Sequence, residues 1–315
     1  MTELLEIREA SRGYILREGP LGLTRGELRA VDRVSLSVRA GETLGLVGES
    51  GCGKSTLARL MLGLEAPSSG AVLYKGRNIN PRPPRDFRAR VQMVFQDPYS
   101  SLNPRRSVGA IVGEPLVIHG RGGRRERAAR VRELLSLVGL RPEDAGRYPH
   151  EFSGGQRQRV AIARALALDP ELVVCDEAVS ALDVSIQAQI INLLQGLQER
   201  LGLTYVFISH DLAVVNHISR RVAVMYLGRL VELAERDELY ANPLHPYTRT
   251  LLAAVPEPDP RKLKARLPAR AEAGPPSVDA CAFAPRCPLA EPDCRANVPD
   301  LRELVPGHFV ACSKA

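Results

Sequence analysis

Short apolar runs alternate with segments of helical periodicity along much of this chain. Two runs of strand length, Leu172–Asp176 and 205–209, each follow a segment with helical spacing, at 158–168 and 185–200. Strands that alternate with helices predict crossover connections and hence a parallel sheet. A further apolar run, Thr43–Val47, is followed at once by another helical pattern. The hydrophobic pattern therefore predicts an α/β fold, a parallel sheet flanked by helices.

The beginning of the chain has a different pattern. Polar and apolar positions alternate over the first forty residues, around a Gly-rich stretch at 19–26. This alternation predicts two antiparallel strands joined by a loop, the second over 34–38. Further strands are predicted at 70–74 and 91–95. An antiparallel β subdomain is thus expected beside the parallel sheet.

Two later changes in pattern define the domains. From about residue 105 to 170 the spacing is helical, which predicts an inserted helical subdomain at about 97–165. Beyond residue 240 closely spaced prolines interrupt regular structure, and four of the six cysteines follow. We expect a main domain over 1–245 and a small Cys/Pro-rich C-terminal region over 246–315.

Composition narrows the setting in which the chain works. Its 315 residues are 44% hydrophobic and 25% charged, as in ordinary globular proteins. No apolar stretch is long enough to span a membrane, and acidic residues stand near the start where a secretory signal carries basic ones. We expect a cytoplasmic protein. If it works at a membrane, other subunits supply the spanning helices.

The net charge of +7 comes largely from arginine, with clusters at 82–90 and 121–130. Such clusters occur either in nucleic-acid sites or on solvated helix faces. Aromatic residues make up only 4% of the chain, which leaves few rings to stack on bases. The composition favours solvated faces and no nucleic-acid partner.

The clearest motif lies between the run Thr43–Val47 and the helix that follows. It matches G-x-x-x-x-G-K-[ST], in which backbone N–H groups and a helix N-terminus surround phosphates. The alternative is a chance glycine turn, which the strand–loop–helix context disfavours. Lys54 is predicted to reach the β- and γ-phosphates, and Ser55 to bind Mg²⁺. The remaining predicted phosphate-binding residues are Gly48, Ser50, Gly51, Cys52, Gly53 and Thr56.

Two acidic residues end the apolar run at Leu172–Asp176. An acid in this position binds Mg²⁺ in phosphate-loop enzymes, and a second carboxylate after it can activate water. Asp176 and Glu177 are therefore the predicted metal ligand and base, with a solvated turn as the alternative. Lys54 precedes Asp176 by 122 positions, which is more than one crossover needs and leaves room for the inserted subdomain.

A second anion cradle is predicted within that insertion. Ser153, Gly154, Gly155 and Gln156 lead directly into a helix, where a hydroxyl and several N–H groups can face an anion. Ser153 can equally act as the helix N-cap, and the two roles use the same geometry. Two cradles in a chain with one metal-binding acid suggest that two chains enclose nucleotide between them.

With these motifs in order, the chain resembles the ATP-binding subunits of ABC transporters over essentially its whole length. The phosphate loop, Gln96, the Ser153–Gln156 motif, Asp176-Glu177, Ser180-Ala181-Leu182-Asp183 and Ser209-His210-Asp211 follow the family's order and spacing. The resemblance implies a P-loop ABC-ATPase core that binds ATP and Mg²⁺. Phe152 stands where leucine is commoner, and Ala178-Val179 where Pro-Thr is commoner; neither change removes a catalytic group.

The resemblance also implies roles for individual residues. Lys54, Gln96, Glu177 and His210 would be catalytic, with Glu177 the base, Gln96 a sensor of metal and water, and His210 a γ-phosphate contact. Ser55, Gln96 and Asp176 would bind Mg²⁺, and Asp183 would organise a dimer interface. Ser153, Gly154, Gly155 and Gln156 would serve nucleotide bound to the partner subunit. Tyr14 resembles the tyrosine that stacks on adenine, although core packing explains it equally well.

The segments from Asp176 to Gln189 and from Asn242 to Thr248 resemble dipeptide and oligopeptide importers, with nickel importers as close relatives. The resemblance implies a second homologous ATPase subunit, two integral membrane permease subunits and an extracytoplasmic solute-binding protein. It also implies a peripheral location on the cytoplasmic face of the inner or plasma membrane. A soluble ABC ATPase acting on nucleic acid is the alternative from another class. That class usually has two cassettes in one chain or a long coiled-coil insertion.

Cys281, Cys287, Cys294 and Cys312 form a separate candidate site. Clustered thiols in a cytoplasmic chain indicate metal rather than disulfides. Their spacing differs from the C-x-x-C pairs of common zinc modules, and all-thiolate ligation suits iron–sulfur clusters as well as zinc. The resemblance to peptide-importer ATPases implies a [4Fe–4S] cluster, with zinc as the alternative and unligated cysteines as a third case. Cys52 and Cys175 are expected to bind no metal.

Overall fold

The computed structural model describes residues 2–18, 23–97, 101–254 and 280–315. The chain divides into two compact units, each assembled from separate stretches of sequence. The first unit contains Met1–Leu4, Arg39–Glu42 and Pro81–Ile208. The second contains Leu5–Val38, Thr43–Asn80 and Ser209–Ala315.

Strands and helices are numbered here along the described residues. The strands are β1 Glu3–Glu18, β2 Leu23–Arg39, β3 Thr43–Val47, β4 Ser69–Tyr74, β5 Arg77–Asn78, β6 Val91–Val94, β7 Leu172–Asp176, β8 Thr204–Ser209, β9 Arg221–Tyr226, β10 Arg229–Glu235, β11 Arg302–Val305 and β12 His308–Val310. The α-helices are α1 Lys54–Met61, α2 Phe87–Arg90, α3 Val108–Ile118, α4 Arg124–Leu137, α5 Gly154–Ala165, α6 Val184–Leu201, α7 Leu212–Ile218, α8 Arg236–Ala241 and α9 Pro246–Ala253.

The first unit is built on three parallel strands in the order β8-β7-β6. Every residue of β7 is buried, because a parallel strand covered on both faces has no solvent-exposed side. The register pairs Val94 with Cys175 and Asp176 with Ile208. Asp176 therefore ends β7 at the carboxyl edge of this sheet, where ligands bind in open α/β folds.

The helical part of the first unit lies between β6 and β7 in the sequence. Helices α3, α4 and α5 contact one another, and their buried side chains include Ile111, Leu134, Leu135 and Ile162. The Ser107 hydroxyl accepts a hydrogen bond from the Ala110 N–H and caps α3. Leu134, Leu135, Val138 and Leu140 at helical spacing are buried and Leu137 is half-buried, so this apolar stripe forms core rather than a site.

The second unit contains an antiparallel sheet in the order β2-β1-β4-β5. Strand β1 pairs with β4 so that Leu5 faces Tyr74 and Ile7 faces Val72. Leu5, Ile7 and Val72 are fully or almost fully buried. The predicted N-terminal strands thus form, and both extend further than the sequence pattern indicates.

A second group of strands in this unit runs in the order β11-β12-β10-β9-β3. Strands β3 and β9 are parallel, whereas β9, β10, β12 and β11 pair antiparallel in succession. The α/β class and the antiparallel β subdomain are confirmed. Strands β9 to β12 lie outside the elements that the sequence pattern predicts, and β12 joins the C-terminal region to β10. Among the described residues, no helix is both long and apolar enough to cross a bilayer.

Candidate functional site

The phosphate loop connects β3 to α1 in the second unit, as predicted. Gly53 is the N-cap of α1 and has φ of 107°. A Cβ at Gly53 would lie 2.0 Å from the Ala30 carbonyl oxygen, and one at Gly48 would lie 2.2 Å from the Met225 carbonyl oxygen. Both positions therefore require glycine, and the backbone packs too closely here for any other residue.

The N-terminus of α1 is suited to bind an anion. The first turn contains no acidic residue, so the N–H groups at the start of the helix and the helix dipole favour negative charge. Three residues of the loop and of the first helical turn are exposed, namely Ser50, Gly51 and Ser55, and Thr56 is half-buried. Lys54 is 5% exposed. Its Nζ donates hydrogen bonds to the carbonyl oxygens of Gly48 at 2.7 Å and Glu49 at 3.0 Å.

Cys52 occupies a buried position in the same loop. Burial raises the pKa of its thiol, although Lys54 opposes that effect, so the thiol stays protonated at neutral pH. The Lys54 Nζ lies 3.9 Å from Sγ. Cys52 therefore contributes to the loop by packing in its interior and through the hydrogen bonds of its backbone.

The predicted metal ligand and base lie together in the first unit. Asp176 is 9% exposed at the end of β7, and Glu177 follows with φ of 47°, a left-handed conformation. The Glu177 N–H donates to the Ile208 carbonyl at 3.0 Å, which fixes this turn. The Gln96 Nε2 donates to Glu177 Oε2 at 2.8 Å. Gln96 and Glu177 are 81 positions apart in sequence, so the fold brings this predicted pair into contact.

The second predicted cradle starts α5 in the same unit. Ser153 is the N-cap, and its hydroxyl accepts from the Gln156 N–H at 3.3 Å while Gln156 Oε1 accepts from the Ser153 N–H at 3.0 Å. This reciprocal arrangement is a capping box. A Cβ at Gly155 would lie 2.5 Å from Cγ2 of Ile186, so the start of α5 packs closely on α6. Gly154 begins the helix, and exposed Asp183 is the N-cap residue of α6.

His210 and Tyr14 belong to the second unit. His210 is exposed and directly follows β8, and its neighbour Asp211 caps α7 by accepting from the Ala213 N–H at 2.8 Å. The Tyr14 hydroxyl donates to Glu65 at 2.6 Å, and the Arg12 guanidinium lies 5.2 Å from the Tyr14 ring centre. Tyr14 is half-buried, and its hydroxyl group is held by Glu65.

The four tail cysteines line one cavity in the second unit, together with His245 and Phe283. All carry free thiols, and the Cys281 N–H donates to the Cys294 carbonyl at 2.9 Å. Burial raises the pKa of Cys281 and Cys287, and the neighbouring thiols add to the increase. Within the described ranges, no three His, Cys, Asp or Glu side chains meet in the geometry of a metal site. The thiols therefore share a cavity without converging on one point.

Sequence reasoning missed the surroundings of Glu49. Its carboxylate contacts Arg286, and its N–H donates to the Tyr247 hydroxyl at 2.9 Å. These partners are 237 and 198 positions away in the chain. Tyr247 lies in the segment from Asn242 to Thr248, which the sequence singled out, but sequence alone does not show what that segment contacts.

Comparison with known proteins gives concordant matches. Residues 31–180 match the ABC transporter family model, and residues 231–294 match the oligopeptide/dipeptide transporter C-terminal region. The chain is 52% identical to the oligopeptide transport ATP-binding protein AppF of Bacillus subtilis, covering 98% of this chain and 96% of the relative. It is 54% identical to the probable peptide ABC transporter ATP-binding protein y4tS of Sinorhizobium fredii, covering 98% and 89%.

Two solved structures extend the comparison. A dimeric post-hydrolysis state of the ATP-binding cassette MJ0796, bound to ADP and Pi, matches with a TM-score of 0.65 and 29% identity. The match covers 74% of this chain and 99% of that one. The cbiO1 protein of Clostridium perfringens, part of the ABC transporter complex cbiONQ, matches with a TM-score of 0.66 and 28% identity over 77% and 92%.

Proposed function

This chain belongs to the ATP-binding subunits of ABC transporters, in the oligopeptide and dipeptide importer family, and we propose that it hydrolyses ATP to drive peptide import. The observation that carries this proposal is the sequence identity of 52% and 54% to two peptide-transport ATP-binding proteins over 98% of this chain. The glycine-lined loop before α1 and the Gln96–Glu177 contact beside Asp176 supply the chemistry that such an enzyme needs. The relatives are named for peptides, which favours peptide over nickel as the solute.

The loop residues bind and neutralise phosphate. The N–H groups at the start of α1 and the Lys54 ammonium stabilise negative charge on the β- and γ-phosphates. Glycine at positions 48 and 53 lets the loop pack against the carbonyl groups of Met225 and Ala30, where a Cβ would clash, and so keeps the loop in its phosphate-binding shape. Mg²⁺ held by Ser55, Gln96 and Asp176 would neutralise further phosphate charge.

Glu177 is the proposed general base. The hydrogen bond from Gln96 orients its carboxylate, and the fixed backbone turn after β7 limits its movement. In this position Glu177 accepts a proton from the attacking water, and His210 contacts the γ-phosphate. The capping-box residues Ser153 to Gln156 serve nucleotide held by a partner cassette, with Asp183 at the interface.

The proposed assembly pairs this chain with a second homologous ATPase subunit. Two integral membrane permease subunits and an extracytoplasmic solute-binding protein complete the transporter. In this assembly the chain would be a peripheral subunit on the cytoplasmic face of the inner or plasma membrane, bound to the permease subunits. ATP binding closes the two cassettes and loss of the γ-phosphate opens them, which is the motion delivered to the permease.

We further propose that Cys281, Cys287, Cys294 and Cys312 hold a [4Fe–4S] cluster, with zinc as the second choice. Support comes from four thiols on one cavity, a donor set that both metals accept. Because burial keeps two of these thiols protonated, metal binding would release protons and would draw the side chains together. The cluster's role would be structural.

The transport proposal is tested with the full complex in proteoliposomes. We expect MgATP hydrolysis that rises when peptide-loaded binding protein is added, and no such rise with Ni²⁺. A purified complex with no affinity for MgATP would refute the proposal.

The cluster is tested separately by visible absorption and by iron, sulfide and zinc content after anaerobic purification, with Cys287→Ser as the variant and Cys175→Ser as the matched control. A colourless protein loaded with zinc would overturn the cluster assignment.

A further inference from the structure

The C-terminal region contacts the phosphate loop through an ion pair between Arg286 and Glu49. Both guanidinium Nη atoms of Arg286 contact the Glu49 carboxylate, at 2.9 Å and 3.0 Å to its two oxygens. This is a bidentate, charge-assisted pair, the strongest kind of side-chain hydrogen bond. Glu49 directly follows Gly48 in the loop, and Arg286 directly precedes Cys287. One ion pair thus links the two sites.

Arg286 is held rigidly for this contact. Its side chain is 13% exposed, and its guanidinium lies 5.7 Å from the ring centres of both Tyr226 and Phe283. The Tyr226 hydroxyl accepts a further hydrogen bond at 3.4 Å. The Glu49 carboxylate raises the pKa of Arg286, so the guanidinium stays charged. Exposed ion pairs contribute little, but this pair is partly desolvated and its cation has little freedom left to lose.

A second contact fixes the Glu49 backbone. The Glu49 N–H donates to the hydroxyl of Tyr247, which is fully buried. The rings of Tyr247, Tyr226 and Phe283 form a cluster with centres 4.5 to 5.5 Å apart. Glu49 is therefore held through its main chain and its side chain by the same aromatic cluster.

Movement of Glu49 would be transmitted to the catalytic lysine. The Lys54 Nζ donates to the carbonyl oxygens of Glu49 and Gly48, so these three residues share one hydrogen-bonded turn. Gly48 cannot relax in compensation, since its backbone packs against the Met225 carbonyl. The position of the Glu49 side chain consequently sets the shape of the loop that receives phosphate.

We propose that Arg286 is a positioning residue for ATP binding, which holds the phosphate loop in its nucleotide-binding shape through Glu49. The proposal rests on the assignment of this loop as the ATP site. Arg286 acts through Glu49 and touches neither nucleotide nor the reacting atoms. The C-terminal region thereby sets nucleotide affinity as well as supporting the fold.

The test compares Arg286→Gln and Glu49→Gln in the full-length chain. MgATP and MgADP affinities are measured by calorimetry, and kcat and KM by steady-state hydrolysis in the assembled complex. We expect each variant to weaken nucleotide affinity and raise KM by about tenfold, as loss of a bidentate charged pair does, with kcat within about twofold. Arg8→Gln is the matched control, because Arg8 makes an equally bidentate pair with Glu6 on the surface of β1. It should leave affinity unchanged.

The double variant Arg286→Gln/Glu49→Gln separates positioning from general damage. If the two residues act as one unit, it binds nucleotide no worse than either single variant. Glu49→Gln leaves the C-terminal region untouched, so it carries the test even if Arg286→Gln unfolds. Unchanged affinity in Glu49→Gln, or additive losses in the double variant, would overturn the proposal. Failure of the wild-type chain to bind MgATP would instead refute the proposed function itself.

Discussion

Positive φ angles occur at several residues of the proposed nucleotide site. Gly48 and Gly53 adopt them in the phosphate loop, and Glu177 adopts one after β7. For glycine this conformation costs little, but for Glu177 the left-handed region costs about 1–2 kcal/mol. A strained backbone at the proposed base persists because the Ile208 carbonyl and the Gln96 amide hold it on both sides. Its side chain is thereby placed before substrate arrives.

Substitution of Gly53 by alanine should abolish nucleotide binding. The new Cβ would lie 2.0 Å from the Ala30 carbonyl oxygen, and that backbone atom cannot rotate away as a side chain could. We expect no measurable MgATP affinity in calorimetry. Gly51→Ala is the matched control, since a Cβ there meets nothing within 4 Å, although its φ of 78° adds some strain. Equal affinities in the two variants would contradict this reasoning.

Glu177→Gln should separate binding from chemistry. The amide keeps the size of the side chain but cannot accept the proton from water, so turnover should fall by about 100-fold or more while MgATP affinity is retained. The variant should accumulate as a closed dimer with its partner cassette, visible by size-exclusion chromatography in MgATP. Glu199→Gln, on the exposed face of α6, is the control. Normal steady-state hydrolysis by Glu177→Gln would show that another group is the base.

At the scale of elements, the sequence predicted the parallel strands β3, β7 and β8 well, because each is a largely apolar run directly before a candidate functional motif. Strand β9, which is parallel to β3, was not predicted. Strand β7 matches its predicted limits, and α6 differs by a single residue at each end. Helix α5 begins four residues before the predicted segment, because the capping box at Ser153 starts it ahead of the apolar stripe. Contacts between distant segments, such as Gln96 with Glu177, could be inferred only from the resemblance.

Asp144 provides a test of the helical region. It is 4% exposed, and it accepts hydrogen bonds from Arg147 Nη1 at 3.0 Å and from the Arg141 N–H at 3.2 Å. Burial favours the neutral acid, but these partners outweigh it and hold the pKa of Asp144 below its ordinary 3.8. Asp144→Asn should lower the free energy of unfolding by about 1–3 kcal/mol at pH 7.

The pH dependence of that loss has a defined sign. A lowered pKa in the folded state gives stability that is present above pH 3.8 and is lost as the pH falls through the folded value. The difference between wild type and Asp144→Asn in urea unfolding should therefore shrink below about pH 3.8. Asp169→Asn, at an exposed carboxylate, should show a smaller loss at pH 7. A difference that stays constant into acid would exclude the ionic contribution.

At the scale of the whole molecule, the C-terminal region is more than a Pro-rich connector. Strand β12 extends the sheet through β10, and Val310, His308 and Phe283 are almost completely buried. The sequence could not predict this, because strands of three and four residues carry too little periodicity to detect. The burial of Glu232 likewise has no signature in sequence, since its partner His308 lies 76 positions later.

His308→Ala should destabilise the second unit. Glu232 is fully buried, and His308 Nε2 contacts its Oε1 at 2.8 Å, beside the backbone N–H groups of Leu244 and His245. Removing His308 takes away one hydrogen-bond partner of the buried Glu232 side chain, so we expect a loss of about 1–3 kcal/mol in chemical denaturation. His217→Ala, at an exposed histidine of α7, is the control. A loss under about 0.5 kcal/mol would mean that the two backbone donors suffice.

The contact between Glu232 and His308 also affects the order in which the sheet can form while the chain is being synthesised. The ribosome adds about 5–20 residues per second, so the Glu232 carboxyl group emerges several seconds before the His308 imidazole that contacts it. During that interval the Glu232 carboxyl group has only the backbone N–H groups of Leu244 and His245 as partners. The last of its hydrogen bonds, together with the pairing of β10 with β12, therefore forms only after the segment that carries the cysteines has been translated.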